Sequence, residues 1–179
     1  MTGIIRPFNG VHPKIHETAF VADTAVVIGD VEIGPEASIW YGCIVRGDLN
    51  HIRIGARTNI QDGTIIHVDS AGEHWDGIPT IIGERVNVGH QALLHACTLE
   101  DGAFVGMGAT VMDDCVVEGG AMVAAGALVT PKKRVLKGEL WAGSPARCLR
   151  PLKDEEIAYF KFVEDTYVAL GAEHEADQS

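Results

Sequence analysis

The sequence predicts an all-β solenoid, a parallel β-helix wound from six-residue units and closed by one C-terminal α-helix. Three observations carry this. Aliphatic residues recur every six positions at Val21, Val27, Ile33, Ile39 and Val45, then at Ile54, Ile60 and Ile66, at Ile82, Val88 and Leu94, and at Leu99, Val105, Val111, Val117, Val123 and Val129. A small or β-branched residue follows four positions after most of them, as at Ala25, Val31, Ala37, Cys43, Thr64, Val86, Ala92, Ala109, Cys115 and Ala121. Glycine often follows the aliphatic directly (Gly34, Gly55, Gly83, Gly89, Gly106), which predicts turns whose dihedrals suit glycine best. A six-residue period fits neither a helix nor a simple alternating strand. It reads as one short strand and one turn per unit, with coils stacked so that each buries its aliphatic on the next. An ordinary β-sandwich does not keep such phasing from Val21 to Val129.

The repeat resembles that of the hexapeptide-repeat proteins. The resemblance implies a left-handed triangular prism with three hexapeptides per coil. Residues 1–148 are read as this domain with an N-terminal lead-in, and 149–179 as a C-terminal helix and tail. The phasing is interrupted twice. Val45 to Ile54 is nine positions, which inserts three residues near Asp48-Leu49-Asn50, and Ile66 to Ile82 is sixteen, which inserts ten, mostly within Val68–Thr80. Insertions in a solenoid become loops, and loops carry function more often than coils do. Gly143-Ser144-Pro145-Ala146-Arg147 is a Gly/Pro-rich exit. From Lys153 to about Leu170, Ile157, Phe160, Val163, Tyr167 and Leu170 recur at helical spacing behind the acidic start Asp154-Glu155-Glu156. The tail from Gly171 is expected to fray.

Composition narrows the function classes. A formal net charge of −11 argues against nucleic acid and anionic membrane surfaces. No apolar run approaches a membrane span, and MTGIIRPFNG has no signal-peptide pattern. The four cysteines (Cys43, Cys97, Cys115, Cys148) lack CxxC spacing and read as reduced thiols, so a cytoplasmic location is expected.

Three of the eight histidines stand out once placed in the repeat. His67 directly follows Ile66 and His95 directly follows Leu94. The two aliphatics are 28 positions apart, of which ten belong to the insertion, leaving 18, or one coil of three hexapeptides. Both histidines therefore share one outward slot on adjacent coils, with backbones roughly 4.8 Å apart. That is close enough for both rings to grip one ion at about 2.0–2.1 Å. Arg46 follows Val45 and falls one coil earlier in the same column. His90, two residues after Val88, falls near the corner of the preceding face and points away from that column. A neighbouring prism packed around a threefold axis can supply its own His90, so the reading is a metal site, His67, His90 and His95, completed by trimerisation.

Arg46-Gly47-Asp48, Asn59-Ile60-Gln61-Asp62-Gly63, His67 and Gly89-His90-Gln91-Ala92-Leu93-Leu94-His95 resemble the γ-class carbonic anhydrase family, over nearly the whole chain. The resemblance implies a homotrimer binding zinc, or ferrous iron or cobalt(II), through the three matching histidines, two from one subunit and one from the next. It implies reversible hydration of CO2 to bicarbonate, with Gln61 orienting the activated hydroxide. Arg46 and Asp48 match an acid–base pair that ties subunits together near the site, and Arg46 is placed to steer bicarbonate. Asp62 and Asn59 match groups that support the ligands, while a polar ladder is the other reading of Asn59.

The pattern departs from the archetype at the acidic proton-shuttle loop. Leu49 follows Asp48, and Val68–Thr80 is short, with Glu73 and His74 as its ionisable members. This resembles the subclass without that loop, for which a tyrosine on the C-terminal helix is implied to assist; Tyr167 is the candidate here. Weak hydratase activity is therefore one expectation. Two further classes stay open. Gly143-Ser144-Pro145-Ala146-Arg147 resembles the C-terminal segment of CoA-dependent hexapeptide acyltransferases, to which thioester hydrolysis is related, and a non-catalytic assembly subunit is the third.

Overall fold

The structure, a computed structural model, describes residues 3–177. It is a left-handed parallel β-helix whose three faces follow the predicted period. The first face stacks Val27, Val45, Ile66, Leu94, Val111 and Val129 in parallel register. The second stacks Ile15, Ile33, Ile54, Ile82, Leu99, Val117 and Val135. The third stacks Val21, Ile39, Ile60, Val88, Val105, Val123 and Trp141. The aliphatics of the six-residue period are buried, and the small residues four positions on (Ala25, Cys43, Ala92, Ala109) plug the prism corners. The prism axis is too narrow for large rings, which is why the core is aliphatic and the aromatics gather outside it.

The glycine expectation is corrected. Gly34, Gly55, Gly83, Gly89 and Gly106 are not the left-handed residues. Positive φ falls instead three positions after the aliphatic, at Glu36, Gly42, Arg57, Gly63, Arg85 and Gln91 and onward in phase to Gly138, with φ between 55° and 77°. The glycines directly after the aliphatic serve close approach, because a Cβ on any of the five would lie 2.5 to 2.9 Å from backbone of the next coil.

Both insertions leave the prism as expected. Gly29 pairs with Gly47 and Val31 with Ile52, so the first insertion bulges out after Gly47. The second leaves after His67 and returns at Thr80, with a bridge between Gly72 and Trp75 near its tip. A third irregularity went unread. Leu94 to Leu99 is five positions, one short of the period. The coil absorbs the deletion at Ala96, which takes φ 49° and donates its N–H to the His67 carbonyl.

The prism ends in an antiparallel hairpin, Glu139–Gly143 with Ala146–Pro151, and the latter strand runs through position 148. Helix α1 follows at Asp154–Asp177. Glu156 accepts the Lys153 N–H and is gripped by both Arg150 guanidinium nitrogens at 2.8 Å, closing the first turn. The helix lies along the third face, with Phe160 stacked on Phe104 and Tyr167 edge-on to Trp40. Glu164, buried, takes the Arg57 guanidinium at 2.6 Å, and Arg57 also reaches Glu36 and Asp165.

One expectation about this segment fails, and one residue of its spacing does not dock. Ile157 is 48% exposed, whereas Phe160, Val163, Tyr167 and Leu170 of the same spacing pack against the prism. The segment after Gly171 does not fray within the described residues. Gly171 is buried beside Phe20, and the His174 ring sits among Phe20, Trp40 and Tyr41, with its Nδ1 2.9 Å from the Tyr41 hydroxyl. Gln178 and Ser179 of the expected tail, like Met1 and Thr2, lie outside the described residues. Among the described residues, no helix is long and apolar enough to cross a membrane.

Candidate metal centre

His67 and His95 pair in register on adjacent coils of the first face, and their ring centroids are 5.3 Å apart. Each follows a fully buried aliphatic, so the strand alternation that sends Ile66 and Leu94 inward sends the imidazoles outward. Val45 pairs with Ile66, which puts Arg46 one coil earlier in the same outward column. His90 stands elsewhere, at the corner between the third and first faces, beside Asp62 and Tyr167. Among the described residues of one chain, no three His, Cys, Asp or Glu side chains are gathered as a metal cluster.

Carboxylates set the imidazoles. His90 Nδ1 donates to Asp62 at 2.8 Å and His95 Nδ1 donates to Asp113 at 2.6 Å, which leaves both Nε2 atoms as acceptors. The Tyr167 hydroxyl makes a long contact, 3.5 Å, to His90 Nε2. In the single chain His67 takes the opposite tautomer, with Nε2 donating to Asp48 at 2.9 Å, while Asp48 also accepts from Arg46 at 2.6 Å. Burial pushes the Asp48 carboxyl up, but the hydrogen bonds from His67 and Arg46 outweigh it and hold it below the usual range. Burial, aided by the Asp62 charge, pushes the Tyr167 phenol up, so at neutral pH it is a hydrogen-bond donor and no base.

Gln61 and Asn59 are buried, and Gln61 Nε2 donates to Asn59 Oδ1 at 2.9 Å. Asn59 in turn donates to Asn87, so its ladder role and its support of Gln61 are one arrangement. A cavity of about 340 Å3 opens between the third face and α1, lined by Gln61, His90, Phe104, Met107, Phe162 and Tyr167 among others. Glu73 and His74 are exposed at the tip of the short loop, with no bond to any site residue.

Two supporting residues were missed, Asp113 and Asn87. Their signal lay in the repeat. Asp113 is 18 positions after His95, one coil. The 28-residue offset that sets His67 on His95 also sets Asn59 on Asn87 and Asp62 beside His90.

Known proteins resemble this chain over most of its length. The chain is 50% identical over 167 residues to gamma carbonic anhydrase 2, mitochondrial, of Arabidopsis thaliana, covering 93% of this chain but only 60% of the plant protein's length. It is 37% identical over 175 residues to a carbonic anhydrase of Geobacillus kaustophilus, covering 98% of this chain and 93% of that one. Among solved structures, a hexapeptide transferase family protein from Anaplasma phagocytophilum superposes with a TM-score of 0.89 at 49% identity, covering 96% and 98% of the two chains. No family model matches. By its 37% identity to a carbonic anhydrase matched over nearly its whole length and its 50% identity to a gamma carbonic anhydrase, the chain belongs to the γ-class carbonic anhydrase family.

Proposed function

We propose that the protein is a carbonic anhydrase acting as a homotrimer, with a zinc ion held by His67 and His95 of one copy and His90 of the next. The observation that carries this is the split of the three imidazoles, two in register on one face and the third at a corner it shares with neither. The donor set fits such an ion, since His90 and His95 already offer Nε2 with Nδ1 fixed by a carboxylate. His67 offers the same atom once Asp48 gives up that bond and keeps Arg46. A bound zinc supplies a Lewis acid that lowers the pKa of water toward neutrality.

The chain's own groups do the rest. Gln61 presents a side-chain amide beside His90 to orient the reacting water. Arg46, in the column of His67, offers its charge to the bicarbonate product, and Tyr167 keeps its proton and donates. Support for the trimer comes from the first face. Ile44, Ile65 and Leu93 stack outward at 38%, 42% and 39% exposure, an apolar strip alongside the histidine column that a second copy would cover. Four free thiols fit a cytoplasmic setting.

Metal analysis should find about one ion per chain. His90→Ala should abolish binding, light scattering should report three copies, and stopped-flow CO2 hydration should need the metal. Unchanged metal content in His90→Ala sinks the assignment. One observation favours a second reading, hydrolysis of an acyl thioester at the same site: the cavity of about 340 Å3 is far larger than CO2 requires and mostly apolar. An acyl-CoA hydrolysis assay run beside the CO2 assay decides between them.

A further inference from the structure

Three side-chain amides run in single file from the site into the fold. Gln61 Nε2 donates to Asn59 Oδ1 at 2.9 Å, Asn59 Nδ2 to Asn87 Oδ1 at 2.5 Å, and Asn87 Nδ2 to the backbone carbonyl of Phe160 in α1 at 3.4 Å. Asn59 and Asn87 are each 1% exposed, so neither can turn to water. Each amide alone could sit in the row either way round, because its oxygen and nitrogen ends have the same shape. A backbone carbonyl, however, only accepts. It requires the NH2 of Asn87, which turns Asn87 Oδ1 toward Asn59. Asn59 must then offer its own NH2 and present Oδ1 to Gln61. The same constraint passes to Gln61, whose Oε1 is left over, with no hydrogen-bond partner among the described residues. It is not sealed off either, since Gln61 lines the cavity with His90.

We propose that the Phe160 carbonyl, acting through Asn87 and Asn59, fixes the polarity of Gln61, so that the site meets an amide oxygen and never the NH2. Asn87 is thus a positioning residue that touches nothing in the site, and helix α1 is the reference that sets the row. The polarity stands on the hydrogen bonds alone. What it accomplishes rests on the hydration reading, in which Gln61 Oε1 accepts the O–H of the reacting water and so directs its lone pair. Reversal of any one amide would place two donors or two acceptors face to face in a dry interior, which is what makes the row cooperative.

Two substitutions separate polarity from mere anchoring of the helix. Asn87→Leu keeps the branched shape and removes both bonds, so Asn59 and Gln61 become free to flip. Asn87→Asp places a carboxyl where burial favours the protonated form. Its O–H then donates to Phe160 and its C=O accepts from Asn59, which restores the direction of the row. The first readout needs no metal: hydrogen exchange of the Gln61 side-chain amide by nuclear magnetic resonance on the full metal-free chain, its signal assigned by its loss in Gln61→Glu. Exchange should be slow in the parent and in Asn87→Asp, and about tenfold faster in Asn87→Leu. The second is CO2 hydration by the zinc-loaded proteins, where Asn87→Leu should lower kcat about tenfold with KM unchanged and Asn87→Asp should recover it. Circular dichroism checks the fold, and Asn87→Ala replaces Asn87→Leu if the latter does not fold. Equal Gln61 exchange in all three proteins overturns the proposal, as does equally fast exchange in both variants, which would mark Asn87 as a helix anchor only. If exchange follows the expected pattern while the zinc-loaded parent hydrates no CO2, the polarity stands and the hydration reading falls.

Discussion

Two glycine-to-alanine substitutions should fail for opposite reasons, and the contrast tests how the coils are spaced. Gly102 has φ +73° with no atom within 4 Å of the place an alanine methyl would take, so alanine there meets only dihedral strain. The left-handed conformation costs an alanine about 1–2 kcal/mol. Loss of glycine's freedom in the unfolded chain returns about 0.4–1 kcal/mol at either site, so the net destabilisation at Gly102 is about 0–1.6 kcal/mol. Gly89 lies outside the left-handed region, so its dihedrals suit alanine, but the new Cβ would stand 2.6 Å from Met107 N and 2.9 Å from Gly106 C. Neither atom can give way, because the Gly89 N–H is bonded to the Val105 carbonyl and the Gly108 N–H to the His90 carbonyl, both at 2.8 Å. The rungs must part beside His90, an overpacking cost of about 1–3 kcal/mol with both of those bonds stretched. The unfolded-state return is common to both variants, so the two stretched bonds decide the order, and urea denaturation should rank Gly89→Ala below Gly102→Ala. Zinc titration should find weaker binding only in Gly89→Ala, since the parted rungs carry His90 with them. If Gly102→Ala proves the less stable, or if Gly89→Ala binds zinc as the parent does, the close-approach account of these glycines is wrong.

Three further outcomes follow from side chains away from the metal. Burial keeps Cys43, Cys97 and Cys115 from reacting, with the Cys43 thiol pushed up to about 12, so a thiol reagent at pH 8 should label only the exposed Cys148 in the native protein and all four cysteines after denaturation; a second native-state label would contradict the packing. The Arg150 fork, with the Lys153 N–H, draws the Glu156 carboxyl down from its ordinary 4.5 to about 2, so its contribution to the start of α1 is complete above 4.5 and is lost as pH falls from there through about 2. Hydrogen exchange in the first turn at pH 3 against pH 6 should show that loss in the parent, and Glu156→Gln should remove the pH dependence. Glu164→Gln leaves the Arg57 guanidinium without its most buried partner but with Glu36 and Asp165 still in reach, so the cost should be about 1–3 kcal/mol, below the full loss for a buried pair, and it should appear as faster exchange confined to α1.

The prism was legible because its signal is redundant. Seventeen aliphatics in phase leave no other assignment, and every one is buried. The histidine column was legible for the same reason: the count that removes the insertion depends on the phase on either side of it, and that phase is strong. What escaped was local. The five-residue step at Leu94 to Leu99 looks like the start of another run, since a deletion of one residue has no side chain to announce it. The glycines were assigned to the wrong cause because composition says that a Cβ is unwelcome without saying whether a dihedral or a neighbouring coil forbids it. The tail looked frayed because chain termini usually are, yet Gly171 is buried beside Phe20, and the aromatic surround of His174 holds the turn beyond it.

The C-terminal helix shows where periodicity stops informing. Its apolar spacing marks only a helix with one apolar stripe. In the structure it brings three things to the site that no spacing rule contains: the Tyr167 hydroxyl 3.5 Å from His90, a wall of the cavity through Phe162 and Val163, and the Phe160 carbonyl that ends the amide row. The last is a backbone atom, which no residue identity at position 160 reveals. Asn59 and Asn87 share the offset of His67 and His95, so the sequence does place the two amides together. Which way they point is decided by a helix packed against them from 73 residues away in the chain, and a hydrogen-bond direction is a property of that contact alone.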